Sequence, residues 1–190
     1  CNSARVPVVA TVNSAPGTPV AAAVPRCGPG TVTLNATGTQ TIYWYTAASG
    51  GTLLTTGSSY TTPSISSTTT YYVEQGNGSC QSSRLAVQAI VNPIPSAPVA
   101  SNVSRCGTGT VTLTATSSNS VSWYSASTGG TLLGTGLSFT TPSISSTTDY
   151  YAEASSNGCS SSRTTVSAIV NTIPSPPTAA DVSRCGTGTI

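Results

Sequence analysis

Short stretches of strictly alternating apolar and polar residues recur along the chain. TVTLNAT at 31–37 and TVTLTAT at 110–116 alternate in this way, and so do IYWYT at 42–46 and VSWYS at 121–125. A period of two with β-branched and aromatic residues is typical of strands that bury one face. Gly-Gly and Asn-Gly pairs between the stretches are typical of tight turns. The pattern therefore predicts an all-β chain of short strands.

The whole pattern returns at a fixed period. Arg26, Arg105 and Arg184 each open the string R-C-G-x-G, and they follow one another at intervals of 79 residues. The two full copies align without a gap, and proline-rich segments separate them. Such self-similarity indicates tandem copies of one folded unit. We therefore predict four segments: the C-terminal strand of a preceding repeat at 1–15, complete repeats at 16–94 and 95–173, and the N-terminal part of a following repeat at 174–190.

Each repeat has room for seven strands, in the order A, B, C, C′, E, F and G. In the second repeat we predict them near 98–104, 109–116, 120–126, 131–135, 138–144, 148–155 and 160–170. Seven short strands without a helical pattern are typical of a β-sandwich. The predicted fold class is all-β: tandem immunoglobulin- or fibronectin-III-like sandwiches, arranged end to end.

The inward face of these strands supplies the predicted core, centred on Trp44 and its counterpart Trp123. Tyr71 and Tyr150 occupy the position of a tyrosine corner, which is a structural role. The full inward set that we predict for the second repeat is Val111, Leu113, Ala115, Trp123, Leu133, Phe139, Ile144, Tyr150, Ala152, Val166 and Ala168. Two alanines of this set take the places of the two cysteines of an antibody domain.

The ordered strings C-G-x-G-x-V-T-L-x-A-T, W-Y, G-G-T-L-L, T-T-P-S-I-S-x-T-T-x-Y-Y and C-x-S-x-R run through the chain. They closely resemble the Ig-like repeats of large Bacteroidota cell-surface proteins, which are exported by the type IX secretion system and include gliding-motility adhesins. The resemblance covers the whole chain. It implies a segment of an adhesive filament or stalk at the cell surface, attached to the outer membrane or secreted, that serves surface attachment or gliding motility.

The resemblance also implies partners, and it leaves alternatives open. The partners are neighbouring repeats of the same chain, a surface polysaccharide or substratum, and the outer-membrane secretion and motility machinery. Such repeats also occur as passive spacers in secreted carbohydrate-active enzymes, which is the first alternative. A glycan-binding module is the second.

Six cysteines outside any metal-binding spacing indicate disulfides and an oxidising compartment. Pairs within a repeat, Cys27–Cys80 and Cys106–Cys159, would span opposite ends of a strand about 20 Å long, whereas a disulfide needs Cα atoms within about 7 Å. We therefore favour a bond between repeats, Cys27–Cys159, over pairs within a repeat and over free thiols. The remaining cysteines would then pair beyond this sequence: Cys1, Cys80, Cys106 and Cys185.

Composition excludes several classes of function. Only 5% of the residues are charged, the net charge is +2, and the chain contains no His and no Lys. Nucleic-acid binding needs clustered basic residues, and triad hydrolases and His-based metal sites need His. Four carboxylates remain, Glu74, Asp149, Glu153 and Asp181, but Asp149 is replaced by Thr70 in the first repeat. We therefore predict no enzyme, no metal site, no cofactor and no nucleic-acid partner, and we expect the two glutamates to face solvent or to meet a repeat arginine.

Tyrosine pairs are the candidate ligand site. By alternation, Tyr45 and Tyr72 in the first repeat, and Tyr124 and Tyr151 in the second, point outward from neighbouring strands C and F. One interpretation is a cross-strand contact. The other is an exposed sugar-stacking platform whose weak sites gain avidity by repetition.

The arginines fall on two repeat positions, those of Arg26 and Arg84. We expect both to brace the joint between repeats by hydrogen-bonding backbone carbonyls there. A clamp for an acidic polymer is the alternative.

Overall fold

A computed structural model describes residues 1–189. The chain forms two compact units. The first contains residues 1–95 together with 156–159, and the second contains the other described residues. Each sequence repeat forms one β-sandwich, so the prediction of two tandem all-β sandwiches is confirmed.

The strands are short, as the alternation predicts. Those of the first sandwich are β1 (Val20–Ala21), β2 (Val24–Cys27), β3 (Thr33–Thr37), β4 (Thr41–Tyr45), β5 (Leu53–Thr56), β6 (Ser59–Thr61), β7 (Thr69–Gly76) and β8 (Leu85–Asn92). Those of the second are β9 (Val99–Ala100), β10 (Val103–Cys106), β11 (Thr112–Thr116), β12 (Ser120–Tyr124), β13 (Leu132–Thr135), β14 (Ser138–Thr140), β15 (Thr148–Ser156), β16 (Cys159–Ser160) and β17 (Thr164–Asn171).

Both sandwiches have the same topology. In the first, a three-stranded sheet β1-β3-β6 faces a five-stranded sheet β2-β8-β7-β4-β5. In the second, β9-β11-β14 faces β10-β17-β15-β12-β13, and β16 adds to β15. Two pairings are parallel, β2 with β8 and β10 with β17. The fold therefore places the predicted strands C and F side by side.

The predicted first strand of the second repeat, 98–104, is in fact two strands. β9 pairs with β11 in one sheet, and β10 pairs with β17 in the other. The chain changes sheet at Ser101 and Asn102, and the Asn102 side-chain oxygen accepts a hydrogen bond from the backbone N–H of Ser167 at 2.8 Å. The Asn102 side chain therefore accepts the hydrogen bond from Ser167 that a backbone carbonyl would accept in an unbroken strand.

Each core surrounds one tryptophan, as predicted. Trp44 and Trp123 are fully buried, and their indole N–H groups donate to the carbonyls of Gly57 and Gly136, both at 3.0 Å. The first core contains Val32, Leu34, Ala36, Ile42, Trp44, Tyr71, Val73, Val87 and Ala89. The second contains Val111, Leu113, Ala115, Val121, Trp123, Ile144, Tyr150, Ala152, Val166 and Ala168.

Leu133 is an exception, and its predicted place in the core is wrong. Its side chain is 36% exposed, and it lies on the edge strand β13. The register between β12 and β13 shifts beside Trp123, which lies opposite Gly134. Because Gly134 has no side chain, Phe139 packs close to it, 5.8 Å from the Trp123 ring. The alternation that assigns Leu133 to the core therefore does not hold across this irregularity.

Buried tyrosines complete both cores. Tyr71 and Tyr150 are buried, and their role as tyrosine corners stays a prediction. Tyr60 packs 5.1 Å from the Tyr71 ring and 6.1 Å from the Trp44 ring. Burial raises the pKa of the Tyr60 hydroxyl above its usual value, and Tyr71 adds to the rise. Burial likewise raises the pKa of Tyr150.

These raised pKa values predict a loss of stability at alkaline pH. An unfolded tyrosine ionises near pH 10, whereas folded Tyr60 stays neutral there. The folded state then binds more protons, so the stability that Tyr60 contributes is fully present below about pH 10 and is lost as pH rises through its folded pKa. Tyr60→Phe should reduce this decline, because the second repeat already has Phe139 at the equivalent position. Denaturant unfolding of the thiol-blocked chain at neutral and alkaline pH measures the effect, and equal declines in both proteins would contradict it.

Residues 1–19 and 172–189 lie outside the strands. Their assignment to preceding and following repeats stays a prediction. Across the described residues, no helix is both long and apolar enough to cross a membrane.

Candidate functional site

A disulfide joins cysteines of successive sequence repeats. Cys27 is the last residue of β2, where it lies opposite Asn92 at the end of β8. Cys159 is the first residue of β16 and is 1% exposed. The two cysteines are bonded, with their Cα atoms 5.5 Å apart. The predicted bond between repeats is confirmed, and the two alternatives for Cys27, a free thiol or a bond to Cys80, are wrong.

A tight turn presents Cys159 to its partner. Asn157 and Gly158 both have positive φ, 48° and 77°, which is the requirement of a type I′ hairpin. The Asn92 side-chain amide donates to the Asn157 carbonyl at 3.0 Å, and Cys27 Sγ lies 3.7 Å from the Gly158 carbonyl oxygen. The disulfide is therefore supported by a polar contact beside it.

The string R-C-G-x-G builds the loop after β2. The Arg26 guanidinium donates to the carbonyls of Gly28 at 2.9 Å and Thr31 at 2.7 Å. Gly30 has a φ of 149°, and a Cβ there would collide with the guanidinium. Arg105 makes the same contacts in the second repeat. The arginine of the motif therefore fixes a loop of its own sandwich, and the cysteine of the motif is the last residue of β2 in the first repeat.

Arg84 also bonds carbonyls, but within its own sandwich. Its Nη1 donates to the carbonyls of Ala47 and Gly50, both at 2.6 Å, in the turn between β4 and β5. Arg163 is placed in the same way. The prediction that these arginines brace the joint between repeats is therefore wrong. The physical reason is sheet order: β8 adjoins β7, which adjoins β4, so a side chain just before β8 reaches the β4–β5 turn.

Arg84, Tyr45 and Glu74 form what we call the arginine cluster. Arg84 Nε donates to Glu74 Oε2 at 3.0 Å, and the two side chains are only 13% and 6% exposed. The guanidinium carbon lies 3.4 Å from the centre of the Tyr45 ring. Burial raises the pKa of the Tyr45 hydroxyl, Glu74 adds to the rise, and Arg84 opposes it. In the described part of the chain, Glu74 Oε1 is buried without a hydrogen-bond partner.

The second repeat contains a matching cluster. Arg163 pairs with Glu153 at 2.9 Å and lies 3.5 Å from the centre of the Tyr124 ring. Of the two expectations for the glutamates, the arginine contact is the one that the structure contains: Glu74 pairs with Arg84, and Glu153 pairs with Arg163. Asp149, which lies on the same strand as Glu153, accepts a hydrogen bond from the Ser167 hydroxyl at 2.6 Å.

The tyrosines of neighbouring strands lie opposite one another, as predicted. Tyr45 pairs in register with Tyr72, and Tyr124 pairs with Tyr151. All four are half-buried, so the description of an exposed pair is wrong. Arg84 covers one face of the Tyr45 ring, which is the kind of surface that a sugar would stack on. Glycan stacking on these tyrosines stays a prediction.

Sequence reasoning missed the asparagine that supports the disulfide. Asn92 and Asn171 recur at the repeat interval, in the strings V-N-P-I-P and V-N-T-I-P, and this recurrence could have identified them. It also missed Gln75, whose side chain accepts from the N–H of Thr39 at 2.8 Å and donates to the Gly17 carbonyl at 2.7 Å. The second repeat has Ala154 there, so periodicity gives no signal for Gln75.

The chain is similar to several solved structures at low sequence identity, and the match to titin domains supports the fold. Titin domains match with a TM-score of 0.50 and 16% identity, over 77% of this chain and 60% of that chain. A marsupial T cell receptor matches with a TM-score of 0.48 and 13% identity, over 85% and 74%. Murine CEACAM1b matches with a TM-score of 0.44 and 16% identity, over 82% and 100%. No curated protein matches the chain significantly.

A family model gives the closer assignment. The model described as Ig-like domain CHU_C associated matches residues 16–93 and again residues 95–172. Disulfides persist mainly outside the reducing cytosol, so this match and the Cys27–Cys159 bond together indicate an extracellular protein. With most of its length covered by two successive matches, the chain belongs to the family of CHU_C-associated Ig-like domains.

Proposed function

We propose that this chain is a segment of the stalk of a large cell-surface adhesin, exported by the type IX system of Bacteroidota and used in surface attachment or gliding. The observation that carries the proposal is the repeat itself, because two copies of 79 residues each close their own core around one buried tryptophan. Units that fold nearly alone and contact only their neighbours add length in proportion to their number. Such an array functions by extending away from the cell surface over a distance set by the number of repeats.

The chemistry of the chain suits an exposed filament. Only 5% of residues are charged, and the basic residues are all arginine. The guanidinium groups of Arg26, Arg84, Arg105 and Arg163 are held by backbone carbonyls, which protects the sites that a trypsin-like protease would cleave. The disulfide stabilises the array in an oxidising environment.

The partners follow from this role. Neighbouring repeats contact one another along the array, its far end meets a surface polysaccharide or substratum, and its base is held by the outer-membrane secretion and motility machinery. A passive spacer in a secreted carbohydrate-active enzyme would contain the same sandwiches, so cellular location and array length separate the two functions.

The test uses the cells that produce the protein. Antibodies raised against this chain should label intact cells, and removing copies of 79 residues from the gene should reduce attachment in step with the number removed. Deletions of a fraction of a repeat are the matched control, because they break a sandwich and should reduce the amount of protein at the surface. The proposal would be overturned if the antibodies detected the protein only in the medium, together with an enzyme activity. It would also be overturned if attachment did not change with the number of repeats.

A further inference from the structure

A polar cleft lies beside the cluster that Arg163 forms in the second sandwich. It is lined by Glu153 and by two short segments, 127–129 in the turn between β12 and β13 and 161–163 just before β17. All of these residues belong to the second unit. The volume of the cleft, about 520 Å³, lies within the range of roughly 300–1,000 Å³ that is usual for small-molecule sites. The space is therefore large enough for a small ligand, and we call it the Glu153 cleft.

The walls of the cleft are fixed before any ligand arrives. Arg163 Nε donates to Glu153 Oε2 at 2.9 Å, and Arg163 Nη1 donates to the carbonyl of Gly129 at 2.7 Å. The Ser161 hydroxyl accepts from the N–H of Ala154 at 2.9 Å and donates to the carbonyl of the next residue at 2.7 Å. Because these groups are already ordered, a ligand that binds them costs little further conformational entropy.

Polar atoms of the cleft remain available to a ligand. Within the described chain, the Glu153 carboxylate uses Oε2 for its hydrogen bond to Arg163, and its side chain is 16% exposed, so Oε1 can accept from a ligand. Ser127, Thr128 and Ser162 are exposed, and their hydroxyl groups can both donate and accept. A fixed carboxylate oxygen and three hydroxyl groups therefore line the same space.

The charges of the cleft indicate the class of ligand. An anion is repelled by Glu153, and it gains little from Arg163, whose Nε and Nη1 are already engaged. A cation is repelled by the guanidinium, and the described chain contains no group of three or more side chains suited to a metal ion. A neutral ligand with many hydroxyl groups meets neither repulsion, and its hydroxyls can donate to the carboxylate and exchange hydrogen bonds with the serine and threonine side chains. A neutral saccharide has this chemistry.

The equivalent place in the first sandwich is less accessible. The Glu74 side chain is only 6% exposed, and its Oε1 is buried. The cross-strand neighbour of Glu74 is Tyr43, whereas the neighbour of Glu153 is the smaller Ser122. Neighbours of this kind lie on the same face of the sheet, about 5 Å apart. We therefore expect one site per chain, in the second sandwich.

We propose that the Glu153 cleft binds one sugar unit of a neutral saccharide. Glu153 Oε1 accepts from one sugar hydroxyl, and the hydroxyl groups of Thr128 and Ser162 bond those beside it. The site is separate from the tyrosine pair of this sandwich, because Tyr124 and Tyr151 are not among the residues that line the cleft. The inference rests on the proposed function only for its biological use, in which the sugar belongs to the surface polysaccharide that the array contacts, and an isolated chain should bind as well.

The experiment titrates the full, thiol-blocked chain with glucose, galactose, mannose and N-acetylglucosamine, and follows the backbone amides by NMR. At least one of these sugars should shift the amides of Thr128, Glu153 and Ser162 in a saturable way, with a Kd of roughly 1 mM or weaker. Glycerol and glycine at the same concentrations should shift these amides much less, because glycerol lacks the sugar ring and glycine is a zwitterion.

Two variants and a matched control locate the site. Ser162→Trp fills the cleft and Glu153→Gln removes its charged acceptor, so each should raise the Kd about tenfold or more. Ser83→Trp makes the same change at the equivalent position of the first sandwich and should leave the Kd unchanged. Because Ser162 and Ser83 are both exposed, neither tryptophan disturbs a core.

Four results would overturn the proposal. The first is that none of the four sugars shifts the cleft amides, and the second is that glycerol or glycine shifts them equally. The third is that the shifts are confined to the tyrosine pairs, and the fourth is that either cleft variant binds as the unaltered chain does. None of these results bears on the stalk, which antibody labelling and repeat deletion test on cells.

Discussion

Replacing Arg84 with alanine should lower the free energy of unfolding of the first sandwich by about 3–5 kcal/mol. The change leaves Glu74, with a side chain only 6% exposed, as a buried carboxylate without its cation. It also removes the hydrogen bonds to the carbonyls of Ala47 and Gly50 and uncovers one face of Tyr45. Native-state hydrogen exchange of the β4 and β7 amides measures the loss, because these strands report on the first sandwich.

Two comparisons identify the cause of that loss. Adding Glu74→Gln to Arg84→Ala should recover a large part of the stability, since the amide carries no charge. Arg163→Ala should cost less, because its partner Glu153 is 16% exposed and water replaces the cation more easily. A loss below about 1 kcal/mol in Arg84→Ala, which is the range of a surface ion pair, would contradict a structural role for the arginine cluster.

The strands and the core were predictable because they depend on local pattern. A period of two places Leu113 and Ala115 on the inward face of one strand and Trp123 on the inward face of another, and the structure buries all three. The repeat then doubles every observation, since a feature seen at Trp44 is seen again at Trp123. Leu133 shows the limit, because the register shift beside Trp123 follows from sheet pairing, to which the sequence of β13 gives no direct guide.

The disulfide was predictable from strand length. A strand that separates Cys27 from Cys80 by about 20 Å excludes a direct bond, and the remaining geometry favours Cys159. The structure contains that bond. The prediction needed the order of the strands and no side-chain detail.

The arginine cluster was not predictable in the same way. Arg84 precedes β8, and its neighbours in sequence give no sign that it reaches a turn 37 residues away. Its four partners come from the β4–β5 turn, β4 and β7, and they meet only because those strands adjoin in the sheet. Contacts of this kind depend on the finished sheet, whereas alternation and spacing describe one strand at a time.

In the proposed stalk the two sandwiches carry tension along the chain, and the disulfide determines the path of the force. Cys27 and Cys159 are 132 positions apart, so a pull on the two ends of the oxidised chain passes through the bond between them. The residues between the two cysteines are then outside the path of the force. An extended chain spans at most about 3.3–3.6 Å per residue, so the disulfide withholds roughly 430–470 Å of length.

Single-molecule stretching of this chain, oxidised and with Cys159→Ser, measures that length directly. We expect the oxidised chain to stop short of full extension by the withheld 430–470 Å or so. The Cys159→Ser chain should reach full extension in two unfolding steps, one for each sandwich, whereas Cys80→Ser, which keeps the disulfide, should behave as the unaltered chain does. Equal final lengths with and without the disulfide, or one gradual extension in place of two steps, would contradict the account.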